Sequence, residues 1–325
     1  MYGTLAIIIG VSTTFFAAIL WLFNVTNIIF LIGLVATFNI IQWLLAPYLI
    51  NAMYKVKEVK PGEAPKLQAT VDRLAAKSGI KKPKLGIAKI SIPNAFAYGS
   101  PIAGNRVAVT QGLLDTLDEG EVEAVLGHEF GHLKHRDVQI MMFVSFLPSL
   151  FFILSRYLML SSFYGRASRD RDNSGALMAL IGVVSLVMYF VLLLFTLGLS
   201  RLREYYADGH SANVVEGGPR KLSEGLAKIV SKTGRMRRSR QREAIAFNGF
   251  KGLFISDPDR AEEESAQIAK YAPALSDQAL VEKLLRKKVS STDRLMEIFS
   301  THPNITKRLR ALQMLEVPRR EHMIR

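Results

Sequence analysis

Cysteine is absent from all 325 residues, so no disulfide braces this chain and no thiol serves as nucleophile or metal ligand. Charge is missing as well, but only in places. No Asp, Glu, Lys or Arg occurs before Lys55, and two further uncharged windows cover 138–155 and 173–200. Mean hydropathy is +0.18 although 22% of residues are charged, and only this segregation reconciles the two figures. A membrane-spanning helix needs about 20 mostly apolar residues, which makes each window a candidate span. The apolar windows hold no ionisable group, which argues against a transporter. The net charge of +14 comes with no nucleic-acid recognition motif, so nucleic acid is not expected as a partner. Anionic lipid headgroups suit such a charge.

The first 54 residues are too long for one crossing. As one helix they would run about 80 Å at 1.5 Å per residue, against a hydrocarbon core of about 30 Å. The polar turn at 24–27 divides them into spans over 5–23 and 28–50, with Trp21 and Trp43 near span ends, where amphipathic rings favour the interface. A cleaved signal peptide is disfavoured because no basic region precedes the first apolar run. With 138–155 and 173–200, four transmembrane helices are expected. The 138–155 run is short and contains Pro148, so a buried core helix is its competing reading. The chain then divides into an N-terminal hairpin (1–54), an α/β part (55–137), a second hairpin (138–200) and a helical part (201–325). Lys55, Lys57, Lys60, Lys134, Arg136, Arg201 and Arg203 flank the spans on one side. On the other side, Arg166, Arg169 and Arg171 are offset by Asp170 and Asp172. The positive-inside rule therefore puts residues 55–137, 201–325 and the N-terminus in the cytoplasm, and makes this a multi-pass protein of the cell membrane.

Within 55–137 the pattern predicts a helix over 64–77 ending at Ser78-Gly79, a strand over 84–90 and a β-hairpin of 94–99 with 105–110. Asp118 followed by Glu121 is a capping signature, opening a helix that runs into His128. Beyond residue 200 helices are expected over 276–300 and 304–316. The basic stretch 232–242 reads as a surface loop, and 257–264 as an acidic turn.

The chemistry is concentrated in His128-Glu129-Phe130-Gly131-His132. Positions i and i+4 share a helix face, so both imidazoles reach one metal ion, and Glu129 can take a proton from the attacking water. That is the spacing of zinc peptidases; the competing reading is two histidines on a solvated helix face. A catalytic zinc site needs a third protein ligand. His135 lies on the same helix, too close in rotation to complete a tetrahedron easily. Glu204, in Arg203-Glu204-Tyr205-Tyr206-Ala207-Asp208, is the better candidate, with Asp208 one turn later to fix the tautomer of a ligand histidine. Two crossings separate His132 from Glu204, so both emerge on the same side.

Together with Asn94-Ala95-Phe96-Ala97 and Thr301-His302-Pro303 followed by Arg308, these motifs make the chain resemble the HtpX family of membrane-integral zinc metalloproteases, relatives of the CAAX prenyl proteases. The resemblance covers nearly the whole length. It implies a mainly α fold with a small β-sheet, a gluzincin-like protease domain combined with four transmembrane helices. It also implies one zinc ion on His128, His132 and Glu204, with Glu129 as general base, and hydrolysis of misfolded or damaged membrane proteins. Carried over by the same resemblance, Asn94, Ala95, Phe96 and Ala97 form the edge strand that an extended substrate joins. His302 and Arg308 lie near the site as oxyanion stabilisers; a helix-start turn and a structural arginine are the competing readings. His210 departs from the family pattern, read as exposed or as a weak extra metal contact. Two other activities are weighed: a zinc-dependent adaptor that holds unfolded membrane segments without cutting them, and a prenyl-protein protease, which would need more spans.

Overall fold

The computed structural model describes residues 28–164, 174–239, Ile255 and 276–322. The expected span over 5–23, the turn at 24–27, the charged loop around Arg169 and the 257–264 stretch lie outside the described residues. The chain divides into two units, one of residues 43–138 and 200–325, the other of 2–42 and 139–199. In chain order the elements are α1 (Ile28–Met53), β1 (Val56–Glu58), α2 (Pro65–Ser78), β2 (Lys84–Ala88), β3 (Ala95–Ser100), β4 (Gly104–Thr110), α3 (Gln111–Leu114), α4 (Glu119–Lys134), α5 (Asp137–Tyr164), α6 (Ser174–Val214), α7 (Gly218–Arg238), α8 (Asp277–Arg286), α9 (Ser291–Ile298) and α10 (Ile305–His322). Among the described residues the protein is mainly helical with one small mixed sheet.

In the first unit four strands form the sheet in the order β1-β2-β4-β3. The β3–β4 hairpin is antiparallel with Ala95 opposite Val109, and β2 runs parallel to β4. Alternation along β4 divides its side chains between two faces. Val107 and Val109 enter a core with Val71 and Leu74 of α2, Val125, Leu126 and Phe130 of α4, and Leu222 and Leu226 of α7. Ala108 faces the other way, into a cluster with Tyr54, Phe96 and Tyr98. Helix α2 stops where Gly79 takes a left-handed φ of 67° and closes on the carbonyls of Ala75 and Ala76, a conformation that costs glycine nothing. Asp118 and Glu121 form a reciprocal capping box at the start of α4. That helix is buried on almost every side, which makes it the centre of the unit.

The structure corrects the reading of 232–242. Residues 232–238 continue α7, because Leu222, Leu226, Ile229, Val230, Thr233 and Met236 keep a helical stripe of buried positions while the cations occupy the remaining face. Residues 240–242 lie outside the described residues. The 276–300 segment is two helices, since Lys287 turns extended (ψ 124°) and Ser290 with Asp293 caps a new start. Strand β1 had no counterpart in the sequence reading.

Among the described residues three helices are long and apolar enough to cross a membrane: Ile32–Met53, Asp137–Ser162 and Gly175–Val214. Within the second unit α5 and α6 pack through Phe152 and Tyr189, ring centroids 5.2 Å apart. Gly182 allows Met159 to close in. Ser155 and Ser185 are buried, while Leu180, Val184, Val187 and Phe195 face outward. Apolar side chains facing outward, with the few polar ones kept inside, suit a lipid surrounding.

Candidate metal centre and active site

Two helices build the site, and small residues let them meet. A Cβ on Gly131 would come 2.8 Å from Ala207 Cα, and one on Gly127 would come 3.0 Å from Ser211 Oγ. The same seam is tied by Ser211 Oγ donating to Ala124 O at 2.6 Å. This close approach of α4 to α6 sets His128 and His132 against Glu204 and Asp208. Gly131→Ala should therefore lose about 1–3 kcal/mol to overpacking, read as a lower melting temperature together with reduced metal retention.

The Nε2 atoms of His128 and His132 are 3.1 Å apart. Glu204 Oε1 lies 3.5 Å from His132 Nε2 and Glu204 Oε2 3.7 Å from His128 Nε2. Bonds of 2.0–2.1 Å to a tetrahedral zinc would place ligand atoms about 3.3 Å apart, so the three donors suit such an ion. The far sides of both rings support the same conclusion. His128 Nδ1 is 2.8 Å from Asp208 Oδ1, and His132 Nδ1 is 2.6 Å from Asp137 Oδ2. A carboxylate behind each ring sets the proton on Nδ1 and leaves the Nε2 lone pair facing the centre. Burial lowers the pKa of His128, which keeps it neutral as a ligand must be. Burial alone would raise Glu204, but His302, Arg308 and His132 together hold it well below the usual carboxylate range.

Glu129 is buried beside the pair, and Ala97 N–H donates to its Oε2 at 2.8 Å. Burial pushes its carboxyl up to about 7; the charge of Glu204 adds to this, while His132 and the Ala97 N–H oppose it. A carboxyl tuned near neutrality can take a proton and return it. The same hydrogen bond shows that the Ala97 amide points off the sheet, toward the Glu129 carboxylate, from an edge strand. Asn94, Ala95 and Phe96 are buried, whereas Ala97 is half-buried, so Ala97 is where this strand meets its surroundings. Asn94 Oδ1 instead accepts from Ile255 N–H at 3.0 Å.

His302 is buried with Nδ1 3.2 Å from Glu204 Oε2. Its neighbour Asn304 accepts from Thr306 N–H at the start of α10, so the segment is also a helix-start turn. Arg308 is buried and fully engaged. Its Nε and Nη2 donate to the two oxygens of Asp208 at 2.9 and 2.7 Å, and Nη1 donates to Ile255 O at 2.7 Å and lies 3.2 Å from Glu204 Oε2.

One residue of this centre had no sequence signal. Asp137, behind His132, is ion-paired with Arg203; in the sequence it reads as the last charge before an apolar run. His210 is corrected as well: it is buried rather than exposed, with Nε2 2.9 Å from Ser78 Oγ, and belongs to the packing of α6 on α2. His135 caps the end of α4, outside the converging triad of His128, His132 and Glu204.

The chain is also similar to known proteins. Residues 61–316 match the model of Peptidase family M48. "Protease HtpX homolog" of Aeropyrum pernix is 39% identical over 299 residues, covering 89% of this chain and 87% of that relative. The protein of the same name from Thermoplasma acidophilum is 37% identical over 284 residues, covering 86% and 83%. The crystal structure of S. mikatae Ste24p shares the fold at a TM-score of 0.55 and 18% identity, with 95% of this chain aligned to 64% of that one.

Proposed function

The chain belongs to Peptidase family M48, and from that premise we propose that it is a multi-pass zinc endopeptidase of the cell membrane, its protease side cytoplasmic. Its proposed substrates are misfolded or damaged membrane proteins. One observation carries the chemistry: three donor atoms on two helices converge, and each imidazole is backed by its own carboxylate. His128, His132 and Glu204 would hold the ion. Zinc, when bound, acidifies water and polarises a carbonyl as a Lewis acid.

The chain's own residues do the rest. An extended peptide adds to the outer edge of β3, its backbone pairing with the strand that Ala97 belongs to. Glu129 accepts a proton from the attacking water and returns it to the departing amine. His302, beside Glu204 and buried, is the candidate donor to the oxyanion. Arg308, with its guanidinium spread over Asp208, Glu204 and Ile255, is proposed to position these carboxylates.

The test is metal analysis of the purified full chain. About one zinc per chain is expected, with casein cleavage stopped by a chelator and restored by zinc. His132→Ala should abolish both. Asp137→Ala should retain the ligands yet weaken zinc affinity about 10–100-fold, measured by competition with a chelating dye. Cleavage that survives complete removal of metal would overturn the reading.

A further inference from the structure

Helix α9 is inside out. Its one buried side chain is a carboxylate: Glu297 is 6% exposed, ion-paired with Lys307 and accepting from Asn304 N–H at 3.2 Å. Its large apolar side chains face outward, with Leu295 59%, Met296 43% and Ile298 43% exposed, and Phe299, which caps the helix, 56%. At 100° per residue these four form one continuous arc opposite Glu297. A helix on a soluble surface would carry the reverse pattern.

What the arc meets is indicated by Arg201. This residue is the first charge after the uncharged 173–200 window, so it stands at the level where α6 leaves hydrocarbon for headgroups. Its Nη1 donates to the carbonyls of Glu297, Ile298 and Ser300 at 2.8, 3.0 and 2.8 Å. Glu297 O also accepts from Ser300 N–H at 3.0 Å, so Arg201 gathers carbonyls at and just past the end of α9, where a cation suits the helix dipole. Lys287, Lys288 and Arg294 add positive charge around the start of α9. A short helix with Leu and Phe on one arc, cations at its margin and a tether to the end of a membrane span has the make-up of an element lying in the bilayer interface.

We propose that α9 is an interfacial helix whose Leu295–Phe299 arc inserts into the acyl boundary of an anionic bilayer, held at that depth by Arg201. The inference uses the membrane-spanning reading and is independent of catalysis.

The absence of cysteine makes the test direct. Phe299→Cys and, separately, Leu295→Cys would carry a single environment-sensitive fluorophore in the full-length Glu129→Gln protein, reconstituted in phosphatidylcholine–phosphatidylglycerol vesicles. Leu180→Cys, within the apolar run, is the lipid reference, and exposed Glu282→Cys the aqueous one. The expected result is quenching of both α9 probes by spin-labelled acyl chains, close to that of Leu180→Cys, and several-fold less quenching by iodide than at Glu282→Cys. Iodide quenching equal to that at Glu282→Cys, without acyl-chain quenching, would overturn the proposal. So would shielding that appears only when casein is added, which would assign the arc to protein substrates. Agreement between the two labelled positions guards against a local disturbance by either substitution.

Discussion

Glu129→Gln should abolish proteolysis while zinc stays bound. The substitution keeps the size and shape of the side chain, and the amide oxygen can still accept from Ala97 N–H, the contact that fixes Glu129 at 2.8 Å. What is lost is a group able to receive a proton, since an amide does not titrate in this range. General acid–base catalysis contributes about 100- to 10,000-fold to rate, and kcat against casein should fall by that amount. Zinc content should match the unaltered protein, because the converging donors are His128, His132 and Glu204. Undiminished cleavage in this variant would remove Glu129 as the base. Loss of zinc along with activity would mean that the carboxylate helps hold the ion instead.

Arg308→Met should give the largest loss of stability. The guanidinium is fully buried and charge-paired with both Asp208 and Glu204. Removing it strands two carboxylates away from water. Breaking a buried pair in this way costs about 3–5 kcal/mol, to be measured on metal-free protein, since a bound cation would offset part of the deficit. Arg308→Lys should recover little of it, because a single ammonium cannot span Asp208 in two places and also reach Ile255.

The pH dependence has a definite sign. Arg308 and its neighbours hold Asp208 and Glu204 below their ordinary pKa values. Both therefore contribute stability that is present above the unfolded carboxylate range of about 4 and is lost as pH falls through the depressed folded values. In Arg308→Met, His302 and His132 still lower Glu204 and His128 still lowers Asp208, so the downward shift is reduced. The gap between the two proteins should be widest above pH values of about 4 and narrow as pH falls below them. A gap independent of pH would point to lost packing alone.

Local patterns were legible in the sequence, and long-range ones mostly were not. The His128–His132 spacing and Glu204 with Asp208 each sit on one helix, where i and i+4 fix the geometry. The hairpin of β3 and β4 and the Asp118–Glu121 cap are short-range for the same reason. Relationship to the HtpX proteases followed from those motifs and agrees with the relatives found. Asp137 was invisible because nothing in its own neighbourhood says that it backs His132, and Arg203 was counted only as a flanking cation. The three residues of β1 are too few to show an alternation. The continuation of α7 was masked by its cations, although the apolar stripe was there to be read. Helix α9 misleads in the other direction: Leu295, Met296, Ile298 and Phe299 are spaced like a core-facing stripe, and only coordinates reveal that Glu297 turns inward.

The continuous run of α6 from Ser174 to Val214 has a consequence for how the enzyme is born. Both histidines leave the ribosome about seventy residues ahead of Glu204. At typical rates of synthesis that is a delay of about 4–14 s. Until α6 has formed, the nascent protein holds two of the three converging donors without the third. Translation order thus delays the meeting of the three donors until α6 is complete.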